Sequence, residues 1–207
     1  MVRIVKKAAE RRSDIVESAR QLFRTKGYDK TTIQDVMDQL GIAKGTVYHY
    51  FKSKEELLEA VVDDIVAKDL VGKRELMKKT PGTALEKVRI LLRAGSVADE
   101  EAEILEDLHQ PGNQGMHIRQ LAVALMAEAP LYAELIEQGC REGVIQTDHP
   151  LECAEFILSG IQFLTDMGIH PWEQQDLMRR AMAFPAIIEA MLKAPQGSFQ
   201  FLLEQNK

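Results

Sequence analysis

The stretch that decides the fold is Thr31-Thr32-Ile33-Gln34-Asp35-Val36-Met37-Asp38-Gln39-Leu40-Gly41-Ile42-Ala43-Lys44-Gly45-Thr46-Val47-Tyr48-His49-Tyr50-Phe51-Lys52-Ser53-Lys54. Thr32 is a good helix N-cap, with Asp35 at the reciprocal position of a capping box. Ile33, Val36, Met37 and Leu40 give that helix one apolar side. Gly41 stops it, and a short helix fits residues 44–50. Two short helices about a tight glycine turn make a helix-turn-helix, in which the second helix can enter a DNA major groove. On that second helix Val47 and Phe51 lie four residues apart and face inward. Lys44, Thr46, Tyr48 and His49 then face outward, mixing groups that suit phosphates with groups that suit base edges.

Helical periodicity continues on both sides, and strand signals are almost absent, so the expected class is all-α. Upstream, Ile15, Ala19, Leu22 and Phe23 mark one face of a helix over 8–26 that stops at Gly27. Downstream, Ser53-Lys54-Glu55-Glu56 reads as a capping box opening a long helix to about Leu76. Further helices are expected to about Ala94 after Thr80-Pro81-Gly82, over 99–110, and from the 111–115 loop to Ala127. Pro130 is expected to break that last helix and open another over 130–142. Pro150 suits a helix start, giving a helix to about Met167. A final long helix over 172–193 carries Pro185, expected to kink or interrupt it. Beyond Pro195, Phe199, Phe201, Leu202 and Leu203 suggest a tail that packs somewhere.

The charge is divided. Residues 1–54 hold twelve Lys/Arg and six Asp/Glu, a balance of +6, whereas residues 55–207 hold fourteen and twenty-six, a balance of −12. A basic head on an acidic body suits docking on phosphates by one end. Arg3, Lys6, Lys7, Arg11 and Arg12 form either a backbone-contacting arm or a solvated terminus. Cys140 and Cys153 lack the spacing of a zinc site or a disulfide framework. The opening Met-Val-Arg-Ile-Val-Lys-Lys lacks the apolar core of a signal peptide, and no apolar run approaches membrane-spanning length. A cytosolic protein with no cofactor and no metal is expected.

The stretch from about Ile15 to Leu58 resembles the DNA-binding domain of the TetR family of repressors. Gly27-Tyr28, Thr31-Thr32, the Gly41 turn, Lys44-Gly45-Thr46-Val47-Tyr48-His49-Tyr50-Phe51 and Lys52-Ser53-Lys54-Glu55-Glu56-Leu57 carry the likeness. It covers roughly the first quarter of the chain; the rest agrees in length and helical pattern only. The resemblance implies a DNA-binding domain over 1–54 and a helical effector-binding and dimerisation domain over 55–207. It implies that Tyr48 and Lys54 contact phosphates, and that Thr46, His49 and Tyr50 lie near base edges or backbone. Packing is the competing reading for Tyr50. Lys44 would reach base or phosphate, Gly45 would allow close approach, and Gln34 would sit where a base is sometimes read. Thr32 would cap its helix and donate to a phosphate.

The same resemblance implies a homodimer through helices at about 150–167 and 172–193. Ala154, Ile157, Leu158, Ile161 and Leu164 recur at helical spacing there, with Met178, Met182, Ile187 and Met191 as adaptable surface. Packing inside the subunit is the alternative for that stripe. The helix over about 53–76 would be the lever through which a small-molecule effector releases the operator. Candidate pocket residues are Met116, Phe156 and Phe163, together with His109, His117, Gln162 and Asp166 as polar candidates; Met126, Met167, Trp172 and Phe184 are further apolar ones. An ordinary core explains the aromatics equally, and a solvated helix face explains the acidic run 99–107.

The functional expectation is a dimeric, ligand-responsive repressor of a near-palindromic operator. One alternative is a DNA-binding protein of the same fold without a small-molecule effector, either DNA-organising or governed by a protein partner. A remote one is a metal-dependent helical-bundle enzyme, since Glu106 and His109 form an ExxH pair. Such enzymes need two pairs and further carboxylates, and the chain has one pair, no HExxH, no phosphate-binding loop and no GxSxG. Catalysis is not expected.

Overall fold

A computed structural model of the chain describes residues 8–93, 104, 109 and 114–206. Eight α-helices are present among them: α1 Ala8–Lys26, α2 Ile33–Leu40, α3 Lys44–Tyr50, α4 Lys54–Lys79, α5 Ala84–Arg93, α6 Gln114–Arg141, α7 Pro150–Thr165 and α8 Gln174–Met191. A 3-10 helix, Gln200–Asn206, follows. No strand occurs among the described residues, in keeping with the all-α expectation. Apart from Ile104 and His109, the expected 99–110 helix, with the Glu106 of the ExxH pair, lies outside the described residues, as do the basic residues Arg3, Lys6 and Lys7.

The chain divides into two compact units. One takes in residues up to Val66 together with 97–116; the other takes in 67–96 and 117–207. The boundary therefore falls within α4.

The first unit is built on local signals that work as the sequence says. Thr32 accepts from the Asp35 N–H at 3.2 Å, and the Asp35 carboxylate accepts from the Thr32 N–H at 2.7 Å. At the far end Gly41 sits at φ 61°, a left-handed conformation that costs a side-chain-bearing residue steric strain. Its N–H donates to Asp38 O and the next N–H, from Ile42, to Met37 O, which satisfies the carbonyls of the last turn. α1 lays Ile15, Ala19 and Phe23 against Val36 and Met37 of α2, Val47 of α3, Phe51, and Leu57, Leu58, Val61 and Val62 of α4, all buried. Val47 is 0% and Phe51 1% exposed, so α3 is pinned by its inward residues. Each such side chain contributes roughly 1.5–3 kcal/mol by leaving water.

In the second unit the expected break at Pro130 is corrected, as is the interruption offered beside a kink at Pro185. α6 runs unbroken through Pro130, and α8 through Pro185. An internal proline costs about 3 kcal/mol, because it removes a backbone donor and crowds the preceding turn. Around Pro130, Ala129, Leu131, Ala133, Leu135 and Ile136 are all buried. Their combined burial exceeds that penalty several-fold, while Pro130 itself turns its ring outward. Pro185 is buried along with Ile188 and Leu192, so breaking α8 there would expose part of the core. The turn after α6 is tied to the end of α8 by the Gln146 N–H, 2.8 Å from Leu192 O. The residues after Pro195 close this core, with Phe199 and Phe201 buried in it.

Candidate nucleic-acid interface and the second-unit cavity

The outward side of α3 is an open surface. Lys44, Gly45, Tyr48 and His49 are exposed, and Thr46 is half-buried. The Lys44 ammonium stands 5.5 Å from the centre of the Tyr48 ring. Lys52 Nζ donates to Tyr48 O at 2.9 Å, capping the end of α3 with positive charge. His49 and Tyr50 meet edge to face at 4.9 Å, and Tyr50 is half-buried against the core, as its packing reading has it. No side chain lies within 4 Å of where a Gly45 Cβ would stand, and its backbone is not left-handed. Nothing inside the subunit requires glycine there, although glycine weakens a helix interior by about 1 kcal/mol relative to alanine.

Three candidates carry contacts that spacing could not show. Gln34 Nε2 donates to Asp38 Oδ1 at 2.7 Å. Lys54 Nζ donates to the carbonyls of Tyr28 at 3.0 Å and Asp29 at 3.4 Å, and lies 4.0 Å from the Tyr28 ring centre. It therefore braces the α1–α2 turn. The Thr32 hydroxyl is held by Asp35 Oδ2 at 2.8 Å, and Lys26 Nζ reaches the same oxygen at 2.6 Å. The Lys26 hydrogen bond, then those from the Thr32 N–H and hydroxyl, pull the Asp35 carboxyl from its ordinary 3.8 down to about 2. Arg12 stacks on Phe51, 5.0 Å from its ring centre, which fixes part of the basic N-terminal segment beside α3.

The second unit holds a partly open apolar cavity of about 70 Å³. Leu92 of α5, Tyr132 of α6, Leu158 of α7, Ile188 of α8 and the C-terminal Phe199 and Leu202 are among its walls, and no polar atom faces it. Burial pushes the Tyr132 hydroxyl up to about 12, so it stays neutral.

None of the seven candidate pocket residues lines this cavity. Met116 is buried in the first unit's core, and the half-buried His109 also belongs to that unit. Phe156 is 66% and Phe163 57% exposed on the outer face of α7, and Gln162 is half-buried beside them. His117 and Asp166 are brought together, with Nε2 2.9 Å from Oδ1. That carboxylate oxygen also accepts from the N–H groups of Gly168 and Ile169, which closes the turn after α7.

The apolar stripe of α7 follows the alternative of packing inside the subunit. Ala154, Ile157, Leu158 and Ile161 pack into their own subunit's core. The exposed apolar face carries Leu151, Phe156, Phe163 and Met167 on and just after α7, with Met178, Met182 and Ile187 on α8. Sequence reading missed the cavity walls because core and cavity residues share the same spacing. No helix among the described residues is long and apolar enough to cross a membrane.

A capped helix-turn-helix joined to a helical unit defines a class, the helix-turn-helix transcription regulators, and the comparisons agree. Residues 15–61 match the model for bacterial regulatory proteins of the tetR family, and residues 96–187 match that for a tetracyclin repressor-like C-terminal domain. The chain belongs to the TetR family of transcriptional regulators. The HTH-type transcriptional repressor KstR2 of Mycolicibacterium smegmatis is 28% identical over 151 residues, spanning 68% of this chain and 70% of that one. A TetR-family regulator from Pectobacterium atrosepticum shares the fold at TM-score 0.63, with 22% identity over 91% of this chain and 97% of that one. SmeT, solved as a triclosan complex, shares it at TM-score 0.56, with 17% identity over 92% and 94%.

Proposed function

We propose that this protein is a homodimeric repressor that acts in the cytoplasm, holds a near-palindromic operator and releases it when a small molecule binds the second unit. The observation that carries the reading is the division of α3. Val47, with Phe51 just after the helix, is locked into the core, while Lys44, Thr46, Tyr48 and His49 face out beside an exposed glycine that the fold does not need. That glycine suits close approach of a DNA backbone. Lys44 and Tyr48 suit phosphates; Thr46 and His49, with Gln34 from α2, suit base edges. The Thr32 hydroxyl, already bonded to Asp35, serves a phosphate only by sharing that bond, and Lys54 acts first as a brace and through its charge second. Residues 1–54 make the DNA-binding part in this reading, and 55–207 the part that senses and dimerises.

One helix-turn-helix supplies little affinity alone, and a twofold pair reads half-sites about 34–36 Å apart. The exposed Phe156 and Phe163 of α7 and Met178 and Met182 of α8 support the dimer, because large apolar side chains left to water on two helices suit an interface. An apolar cavity in the second unit favours a sensor over a protein that only organises DNA. SmeT, of the same fold, is seen with a small molecule bound. The test is a mobility shift on the DNA upstream of the protein's own gene, with an unrelated duplex as control, at several salt concentrations. Preferential, salt-sensitive binding as a dimer is expected; equal affinity for both duplexes, or a monomer on the operator, overturns the reading.

A further inference from the structure

The C-terminal segment lies beyond residue 187, where the match to the tetracyclin repressor-like C-terminal domain ends. Phe199 and Phe201 are buried, their rings 5.8 Å apart. The segment is latched by a buried hydrogen bond, from the Phe199 N–H to Glu189 Oε1 at 3.0 Å. The Glu189 backbone carbonyl also accepts from Ala194 N–H at 2.9 Å, at the bend where Lys193 takes φ 47°. Phe199 and Leu202 form a wall of the second-unit cavity. At about 70 Å³ that cavity is about half the roughly 150 Å³ of an engineered apolar cavity that holds a benzene. The space is thus nearly filled by side chains of a short segment whose buried polar tie, among the described residues, is the Phe199–Glu189 hydrogen bond.

We propose that residues 195–206 are a displaceable plug in a binding site for neutral apolar molecules, and that a ligand takes the volume now filled by Phe199 and Leu202. This rests on the effector reading above and gives that site a ligand class. A carboxylate, sulfonate or ammonium group is excluded, because a charge moved into a cavity with no polar wall atom loses its hydration and gains no partner. A flat or flexible hydrocarbon skeleton pays no such cost and recovers the apolar contacts of α5 to α8. Expulsion of the plug breaks the Phe199–Glu189 hydrogen bond and frees the chain after Leu192.

The full-length protein is titrated with N-phenyl-1-naphthylamine, followed by fluorescence, and with its sulfonated counterpart 8-anilino-1-naphthalenesulfonate. The neutral probe is expected to saturate at one per chain. Phe199→Ala, which empties a benzene's worth of space and weakens the plug, should raise its affinity about tenfold and leave the sulfonate's unchanged. Amide exchange over residues 197–203 of the unmodified protein should accelerate when the neutral probe binds. Equal gain for the sulfonate, unchanged affinity in the variant, or unaltered exchange at saturation each overturns the plug. Should Phe199→Ala not melt cooperatively, Leu202→Ala replaces it, with the same direction and a smaller gain. Operator release is scored separately. Probe binding that expels the segment but leaves the operator occupied keeps the plug and defeats the effector reading, whereas release by a compound that leaves the segment protected does the reverse.

Discussion

Lys73 Nζ of α4 lies 2.8 Å from Glu128 Oε1 of α6. The same ammonium meets Asp69 at 2.7 Å, and Lys73 is only 6% exposed. Burial works against its charge, but hydrogen bonds and attraction from Asp69 and Glu128 outweigh it and raise its pKa. The cation thus fixes the second half of α4 to α6.

Lys73→Met should remove about 3 kcal/mol of stability, because two carboxylates would then face each other without a cation. The figure stays near the low end for a broken buried pair, since both carboxylates retain contact with water. Replacing all three residues by apolar ones of similar size should recover most of the loss. Denaturant titration of both variants decides it; a Lys73→Met protein as stable as the original would show that the cluster is neutral.

The caps of α2 make a second pair of expectations. Thr32→Ala should cost about 1 kcal/mol through the lost cap. Gly41→Ala should cost about 1–2 kcal/mol, since a Cβ is strained in the left-handed conformation. Thermal unfolding compares them, and a Gly41→Ala variant with unchanged melting would show that the turn relaxes at no cost.

Asp35 gives the pH dependence its sign. Its carboxyl titrates near 2 when folded and near its ordinary 3.8 when unfolded. The charged form is therefore favoured in the folded state. That contribution is complete above the unfolded value and disappears as pH falls from about 4 through 2. Asp35→Asn should flatten the loss of stability over this window, measured as midpoint against pH; parallel curves for the two proteins would remove Asp35 from the account.

On DNA, Tyr48→Phe and Lys44→Ala should weaken binding to every duplex alike, and loss of the Lys44 charge should reduce the salt slope by about 1. Thr46 and Gln34 substitutions should instead change which sequence is preferred. Lys54→Ala should lower both affinity and melting temperature, because its ammonium braces Tyr28 and Asp29. Binding measured across a panel of mutated operators separates these patterns, and a uniform loss for all five substitutions would end the base-reading assignments.

Phe163→Glu on α7 and Met182→Glu on α8 should each yield folded monomers, since both side chains are largely exposed within one subunit. Light scattering together with circular dichroism tests this; intact dimers would place the interface elsewhere.

The DNA-binding half was legible because its determinants are short-range. Thr32 with Asp35, Gly41 with Met37 and Asp38, and the Val47–Phe51 spacing each act within five residues, so the bounds and inner face of the two helices can be read locally, although packing against α1 and α4 holds them. Sequence alone thus determined the helix-turn-helix, the outward face of α3 and the all-helical class. Tertiary structure alone decided that α6 and α8 pass through Pro130 and Pro185, that Leu158 turns inward while Phe163 turns out, and that Phe199 fills a cavity. An apolar side chain has no directional partner: its spacing names a face, but which neighbour covers that face depends on every other helix in the core. The same holds for the energy that overrides a proline, which is summed over distant contacts and written in no local motif.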